Sequence, residues 1–258
     1  MLIKRVLNNG TIYYLKVDKK DRPLAASKSL EMLIKGKGLD SSSLLAALAG
    51  EKSKVLPPSD PGKIVCIGLN YNKHAEETNK KIPKQPLIFL KPSTAILAHG
   101  ETIKLPSVSD NVHFEGELAF VIGKRATGVS SSEAMDYILG FTIFNDVTAR
   151  DIQRSEGFYT RAKGFDTFAP VGPVIATDID PEKVAIKTTV NGEVKQSSGC
   201  DDMIFKIPQL VEFISSVMTL EPGDIVTTGT PSGVGPLHKG DQVAVKISQI
   251  GTLINNVK

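Results

Sequence analysis

The chain has 258 residues, and its 31 Lys and Arg against 28 Asp and Glu leave a formal net charge of +3. That length fits one large domain, or one domain with a small appendage, able to hold a core without disulfides. The 41% hydrophobic and 23% charged composition excludes a disordered, collagenous or coiled-coil chain, and the small, mixed charge argues against a nucleic-acid groove.

Lys4 and Arg5 follow three apolar residues, and Asn8-Asn9-Gly10 arrives before any apolar signal region forms. The longest purely apolar run, residues 44–49, is far short of the ~20 residues that span a bilayer. The expectation is a cytoplasmic protein with no membrane partner. Two cysteines, Cys66 and Cys200, are too few for a secreted disulfide scaffold and read as small buried apolar residues.

Residues 3–7 and 11–17 flank Asn8-Asn9-Gly10 and predict a hairpin. Residues 43–49 predict a short helix that Gly50 stops. Residues 50–63 combine charge with three prolines and two glycines, which disfavours helix and central strand. They mark a boundary between a small N-terminal domain, residues 1–56, and a main domain, residues 57–258. Residues 64–67 then predict a strand entering the loop Gly68-Leu69-Asn70-Tyr71, and residues 86–90 another. Residues 112–122 alternate as one long strand. Ser130 and Glu133 suggest a capping box for a helix through Leu139, stopped by Gly140, before a strand at 142–144. Residues 184–190 and 193–196 around Asn191-Gly192 give the strongest hairpin signal. Pro208 suits the first turn of a helix whose apolar face is Leu210, Val211, Ile214, Val217 and Met218, ended by Glu221-Pro222-Gly223. Short strands follow at 225–228, 243–247 and 252–257. Strands outnumber helices without regular alternation, so the expected class is α+β, mainly β.

On a strand, side chains at i and i+2 share a face, so Glu115 and Glu117 stand side by side. Carboxylates that close repel unless one is protonated or a cation lies between them. A solvated half-strand is the plain alternative. Asp146 comes directly after an apolar strand, where a rigid scaffold can present a side chain to a ligand. Three carboxylates would make a hard oxygen site suited to Mg²⁺ or Mn²⁺, whereas no His/Cys cluster has zinc-like spacing. His74 and Glu77, at i and i+3, share a helical face; from the residues alone a charged surface helix is the plainer explanation. Gly233-Val234-Gly235 has the wrong spacing for a dinucleotide fingerprint.

Glu115-Gly116-Glu117-Leu118, Asn145-Asp146 with Ala149-Arg150-Asp151, and Lys163-Gly164-Phe165-Asp166-Thr167-Phe168 together resemble the fumarylacetoacetate hydrolase family. So do Pro170-Val171-Gly172-Pro173, Leu220-Glu221-Pro222-Gly223-Asp224 and Thr228-Gly229-Thr230-Pro231, in family order from the linker to the C-terminus. The resemblance implies a mixed β-sandwich roll, a homodimer, and Mg²⁺ or Mn²⁺ held by Glu115, Glu117 and Asp146. Some members add a carboxylate from the loop after the first strand; here that loop has none, so three protein ligands are expected. The resemblance also implies that His74 and Glu77 activate water on a lid, and that Lys163 stabilises enolate charge. It places Arg150 and Gln153 against substrate or in support of the site, and the loop Thr228-Gly229-Thr230-Pro231, following a strand, could present backbone N–H groups and the Thr230 hydroxyl to a substrate carboxylate. The implied activity is metal-dependent chemistry on a small 2-oxo or β-diketo acid through a metal-bound enolate, with C–C hydrolysis of an acylpyruvate placed first. A 2-hydroxyhepta-2,4-diene-1,7-dioate isomerase, or an oxaloacetate decarboxylase or tautomerase, is the alternative. A non-catalytic metal- or metabolite-binding protein is the rival from another class.

Overall fold

The computed structural model describes residues 1–258. Asn9 and Gly10 both take positive φ (46° and 74°), the conformation a two-residue hairpin turn requires. The strands β1 (Leu2–Asn8) and β2 (Thr11–Val17) accordingly pair antiparallel with Asn8 opposite Thr11. They continue into β3 (Pro23–Ser27) and the short helices α1 (Leu30–Ile34) and α2 (Ser42–Ala49), which ends at Gly50. Within the proline-rich stretch that follows, Lys54–Val55 pairs with β1. β1 also pairs with a strand of the remaining chain, so the N-terminal strands extend the central sheet.

The other principal elements are β4 (Ile64–Gly68), α3 (Asn72–Glu77), β5 (Leu87–Lys91), β6 (Val112–Phe114), β7 (Gly116–Ile122) and β8 (Ile138–Asn145). Next come α4 (Arg150–Glu156), α5 (Thr160–Lys163), β9 (Ala169–Ala176), β10 (Ala185–Val190), β11 (Glu193–Gly199), α6 (Ile207–Val217), β12 (Ile225–Thr227), β13 (Gln242–Ile247) and β14 (Gly251–Val257). The central mixed sheet runs β3-β2-β1-β9-β8-β7-β12-β4-β5, and a second sheet runs β11-β10-β13-β14. The result is the expected mainly β, mixed-sheet roll. No helix is long and apolar enough to cross a membrane.

Period-2 alternation makes β7 a divider between two cores. Leu118, Phe120 and Ile122 pack with Ile186, Val245 and Ile247 of the second sheet and with Leu210, Val211 and Ile214 of α6. Ala119 and Val121 point the other way, toward Ile64, Ile175, Ile225 and Leu33 of α1. Cys66 and Cys200 are buried and unpaired, as their scarcity suggested. Val217 is exposed and Met218 lies past the end of α6, so the buried face of that helix is narrower than its pattern predicts.

Two expectations change. The strand predicted over 112–122 breaks at Glu115: β6 belongs to a three-stranded sheet with Thr148–Ala149 and Gly235–Pro236, while β7 joins the central sheet. Side chains supply the hydrogen bonds at the break. The Glu115 N–H donates to Asn145 Oδ1 at 2.9 Å and the Gly116 N–H to Gln196 Oε1 at 3.0 Å, so the chain crosses between sheets with its polar groups satisfied. The helix predicted from Ser130 to Leu139 shrinks to one turn at Ala134–Tyr137. Ser130 Oγ bonds the Glu133 side chain at 2.6 Å, closing a local turn, and Gly140 lies inside β8. A Cβ at Gly140 would approach Ala176 O to 2.6 Å, so this glycine permits close strand contact and does not end a helix.

Gly116 is the tightest point between the two sheets. A Cβ there would lie 2.2 Å from Thr188 Oγ1 and 3.1 Å from both Gln196 Oε1 and Val245 Cγ1. Gly116→Ala should therefore lower stability by about 1–3 kcal/mol, the usual range for overpacking, read as a lower urea midpoint. An unchanged midpoint would mean that the sheets do not approach this closely in solution.

Candidate active site

The antiparallel register that places Gly116 opposite Asn145 puts the start of β7 beside the end of β8. Glu115 and Glu117 therefore stand next to Asp146, and one carboxylate oxygen from each of the three lies within 4.8 Å of the others. All three residues are buried. Such a cluster is unstable without positive charge, and three segments deliver it. Lys163, at the end of α5, donates to Glu115 Oε2 at 2.9 Å, to Thr148 Oγ1 at 2.9 Å and to Asp146 Oδ2. Lys91, the last residue of β5, donates to Asp146 Oδ1 at 2.6 Å and to Val147 O at 3.0 Å. Arg150, at the start of α4, bonds Glu115 Oε1 and Gln153 Oε1.

The three carboxylates are not equivalent. Burial alone would raise Glu115, but Lys163 and Arg150 outweigh it and hold this carboxyl well below the usual range. Burial likewise opposes the Lys163 charge, yet Asp146 and Glu115 keep the ammonium protonated above its ordinary value. Glu117 has no cation on it. Its Oε2 accepts the Gly229 N–H at 3.0 Å, and burial followed by repulsion from Asp146 and Glu115 pushes its pKa well up. That is the signature of a missing positive charge. A hard divalent cation such as Mg²⁺ or Mn²⁺ fits this donor set of oxygens, and a carboxylate oxygen has lone pairs for both a cation and an ammonium N–H. Glu115, Glu117 and Asp146 are the residues that would hold it.

The carboxylates line a cavity of about 60 Å³ that also meets His74, Arg150, Gln153, Lys163 and Thr230. Eight of the nine residues singled out from the sequence thus face one space, and the ninth, Glu77, touches His74. His74 Nδ1 and Glu77 Oε2 are 3.1 Å apart on α3, and both Glu77 oxygens accept the Gly233 N–H, at 3.0 and 3.2 Å. With Nδ1–H donating to the Glu77 carboxylate, the other imidazole nitrogen is left with its lone pair. Thr230 has a different surrounding from the one anticipated. Its hydroxyl donates to Gly116 O at 3.0 Å and accepts from Gln196 Nε2 at 2.8 Å, so its proton is committed to the scaffold. In the loop after β4, Asn70 brackets the fold through Phe205 and Thr228 O and supplies no carboxylate. His113, given no role from the sequence, bonds Asn111 at 2.8 Å; burial and Arg150 press it down to about 4.

Two buried residues that hold the carboxylate cluster in place escaped sequence reasoning. Lys91 follows an apolar strand and precedes Pro92, where a lysine ordinarily snorkels to solvent, yet its side chain is fully buried. Gln196 sits in an otherwise polar, exposed strand. Its amide ties Gly116 N, Thr230 Oγ1 and Pro231 O together across three segments. Nothing in the local pattern marks it.

Residues 63–258, which contain every residue of this cavity, match the family described as fumarylacetoacetate (FAA) hydrolase C-terminal, and the chain belongs to that family of enzymes. It is 39% identical over 250 residues to the oxaloacetate tautomerase YisK of Bacillus subtilis, covering 92% of this chain and 83% of that one. It is 42% identical over 212 residues to the mitochondrial oxaloacetate tautomerase Fahd2a of Rattus norvegicus, covering 78% of this chain and 68% of that one. Among solved structures, the 5-carboxymethyl-2-hydroxymuconate delta-isomerase of Mycobacterium smegmatis superposes with a TM-score of 0.87 at 42% identity, covering 100% of this chain and 98% of that one.

The unpaired state of Glu117 makes a signed prediction. Because Glu117 binds its proton more tightly folded than unfolded, metal-free protein loses stability as pH rises from the unfolded carboxylate range, about 4, toward the raised value. Glu117→Gln removes that penalty. With chelator present, the variant should melt about 2–4 °C above the parent near neutral pH, with the gap closing toward about pH 4. Added Mn²⁺ should raise the melting temperature of the parent and leave the variant nearly unmoved. A variant that melts below the parent at neutral pH, or gains equally from Mn²⁺, contradicts the assignment.

Proposed function

We propose that this enzyme moves a proton on a small 2-oxo diacid, interconverting its keto and enol forms, with oxaloacetate as the leading substrate. The observation that carries the reading is the His74–Glu77 pair, anchored by Gly233 N–H, on the same cavity as the three carboxylates. A divalent cation bound by Glu115, Glu117 and Asp146 would supply Lewis-acid polarisation of the 2-oxo oxygen, lowering the cost of removing a proton from the neighbouring carbon. His74 takes that proton from carbon and returns it to the 2-oxo oxygen as the enol forms, and Glu77 holds the ring in the tautomer that can accept it. Lys163, fixed by Glu115, Asp146 and Thr148, supplies positive charge where the oxygen gains electron density. Phe89 and Tyr159, in edge-on contact at 4.9 Å between ring centroids, line the cavity and exclude water from the reacting carbon. The activities for which the two tautomerases and the isomerase are named support this choice, since each relocates a proton beside a 2-oxo or enol group.

Hydrolysis of a C–C bond in an acylpyruvate, placed first from the sequence, is the second reading. The same pair favours it, because a base next to the cavity can activate water as readily as it takes a carbon-bound proton. A protein that only stores a metal or metabolite has no use for such a base.

Adding the enzyme and Mg²⁺ to oxaloacetate should accelerate relaxation of the enol absorbance and exchange of the C3 protons seen by NMR. His74→Ala should slow both by ~10²–10⁴ while leaving Mn²⁺ affinity intact. If the parent instead releases pyruvate from acylpyruvates and leaves the oxaloacetate equilibrium at its spontaneous rate, hydrolysis replaces tautomerisation.

A further inference from the structure

Three groups that can carry positive charge on long side chains face the cavity, and two are already engaged. Arg150 is held by Glu115 and Gln153, and Lys163 by Glu115 and Asp146. The third, Lys80, lines the same cavity, is exposed to solvent and makes no ion pair. Its backbone is nonetheless fixed. Asn79 turns the chain with φ of 50°, and the Lys80 N–H donates to Ala75 O at 2.9 Å, closing the end of α3. The Lys80 backbone is therefore held just past α3, the helix that carries His74, and Glu77 ties that helix to Gly233. Downstream of Glu77, residues 78–100 contain Lys80, Lys81, Lys84 and the buried Lys91 and no acidic residue.

We propose that Lys80 receives the distal carboxylate of the substrate and sets the preference for 2-oxo diacids over 2-oxo monoacids. The assignment rests on the reading that the substrate's 2-oxo end lies at Glu115, Glu117 and Asp146. With that end at the buried cluster, the other carboxylate of a diacid points toward the open side, where leaving water requires a cation. Lys80 is the cation there with its hydrogen bonds free, and an ammonium can follow a carboxylate on a flexible stem. A monoacid would leave Lys80 in water and gain nothing from it.

Lactate and malate separate this role from catalysis, since both are 2-hydroxy acids with no 2-oxo group to enolise and they differ by one carboxylate. Calorimetric titration of the Mn²⁺-loaded enzyme should show malate binding more tightly than lactate. Lys80→Met should weaken malate about tenfold, the usual scale of a charge-assisted contact, and leave lactate and Mn²⁺ affinity unchanged. Lys80→Arg should restore most of the malate affinity, and the KM for oxaloacetate should follow the malate Kd across the series. A parent that binds malate no better than lactate overturns the proposal, as does a Lys80→Met variant that weakens both acids equally or neither. If the parent fails to tautomerise oxaloacetate but keeps a Lys80-dependent preference for malate, the carboxylate subsite stands and the catalytic reading falls.

Discussion

Three carboxylates buried within 4.8 Å of one another set the terms for the rest of this structure. Removing a charge from water costs several kcal/mol, and mutual repulsion adds to it, so the cluster persists only where the fold supplies compensation. The compensation comes from far apart in the chain: Lys91 from a strand end, Arg150 from a helix start and Lys163 from the end of a single helical turn. Each of these side chains is itself largely or wholly buried. Neither the acids nor the bases could be tolerated alone, and this mutual dependence explains why so much formal charge lies beneath a mainly apolar roll. Compensation stops short at Glu117, and the position where it stops is where a divalent cation fits.

The chemistry lies at the seam between the two large sheets. Gln196 reaches from the second sheet to Gly116 at the start of the strand that carries Glu117 and to the Thr230 loop. Thr230 in turn holds Gly116 O. The carboxylates are thus positioned by hydrogen bonds that cross between sheets as well as by the register within one. A fold of this kind can keep the buried cluster constant while the lid and the outer wall vary, which suits a family whose relatives are named for different reactions on related acids.

Much of this was legible from local chemistry. Asn9-Gly10 and Asn191-Gly192 adopt the positive φ values their turns require, and both hairpins form where the residues suggest. The pairing of Glu115 with Glu117 and the position of Asp146 after a strand pointed correctly to one cluster. The failures share a cause. The break at Glu115 and the loss of the helix before Gly140 depend on partners 30 or more residues away, Asn145, Gln196 and Ala176, which no window of sequence contains. Lys91 was missed for the same reason: its surroundings in sequence are those of a snorkelling lysine, and only the tertiary placement of Asp146 keeps it inside.

The anchoring of Glu77 by the Gly233 N–H carries a consequence for how this enzyme can change. Because the donor is a backbone group, no replacement at position 233 other than proline can simply delete it. A substitution there would instead face φ of 95° and a Cβ 2.1 Å from Lys195 O, pushing the loop off the hairpin beneath it. The His–Glu pair thus takes its alignment from the seating of a loop on strand β11, several residues removed from the chemistry. Drift in that hairpin, through mutations that touch neither His74 nor Glu77, is a route by which relatives could shift the His–Glu pair while every residue lining the cavity stays in place.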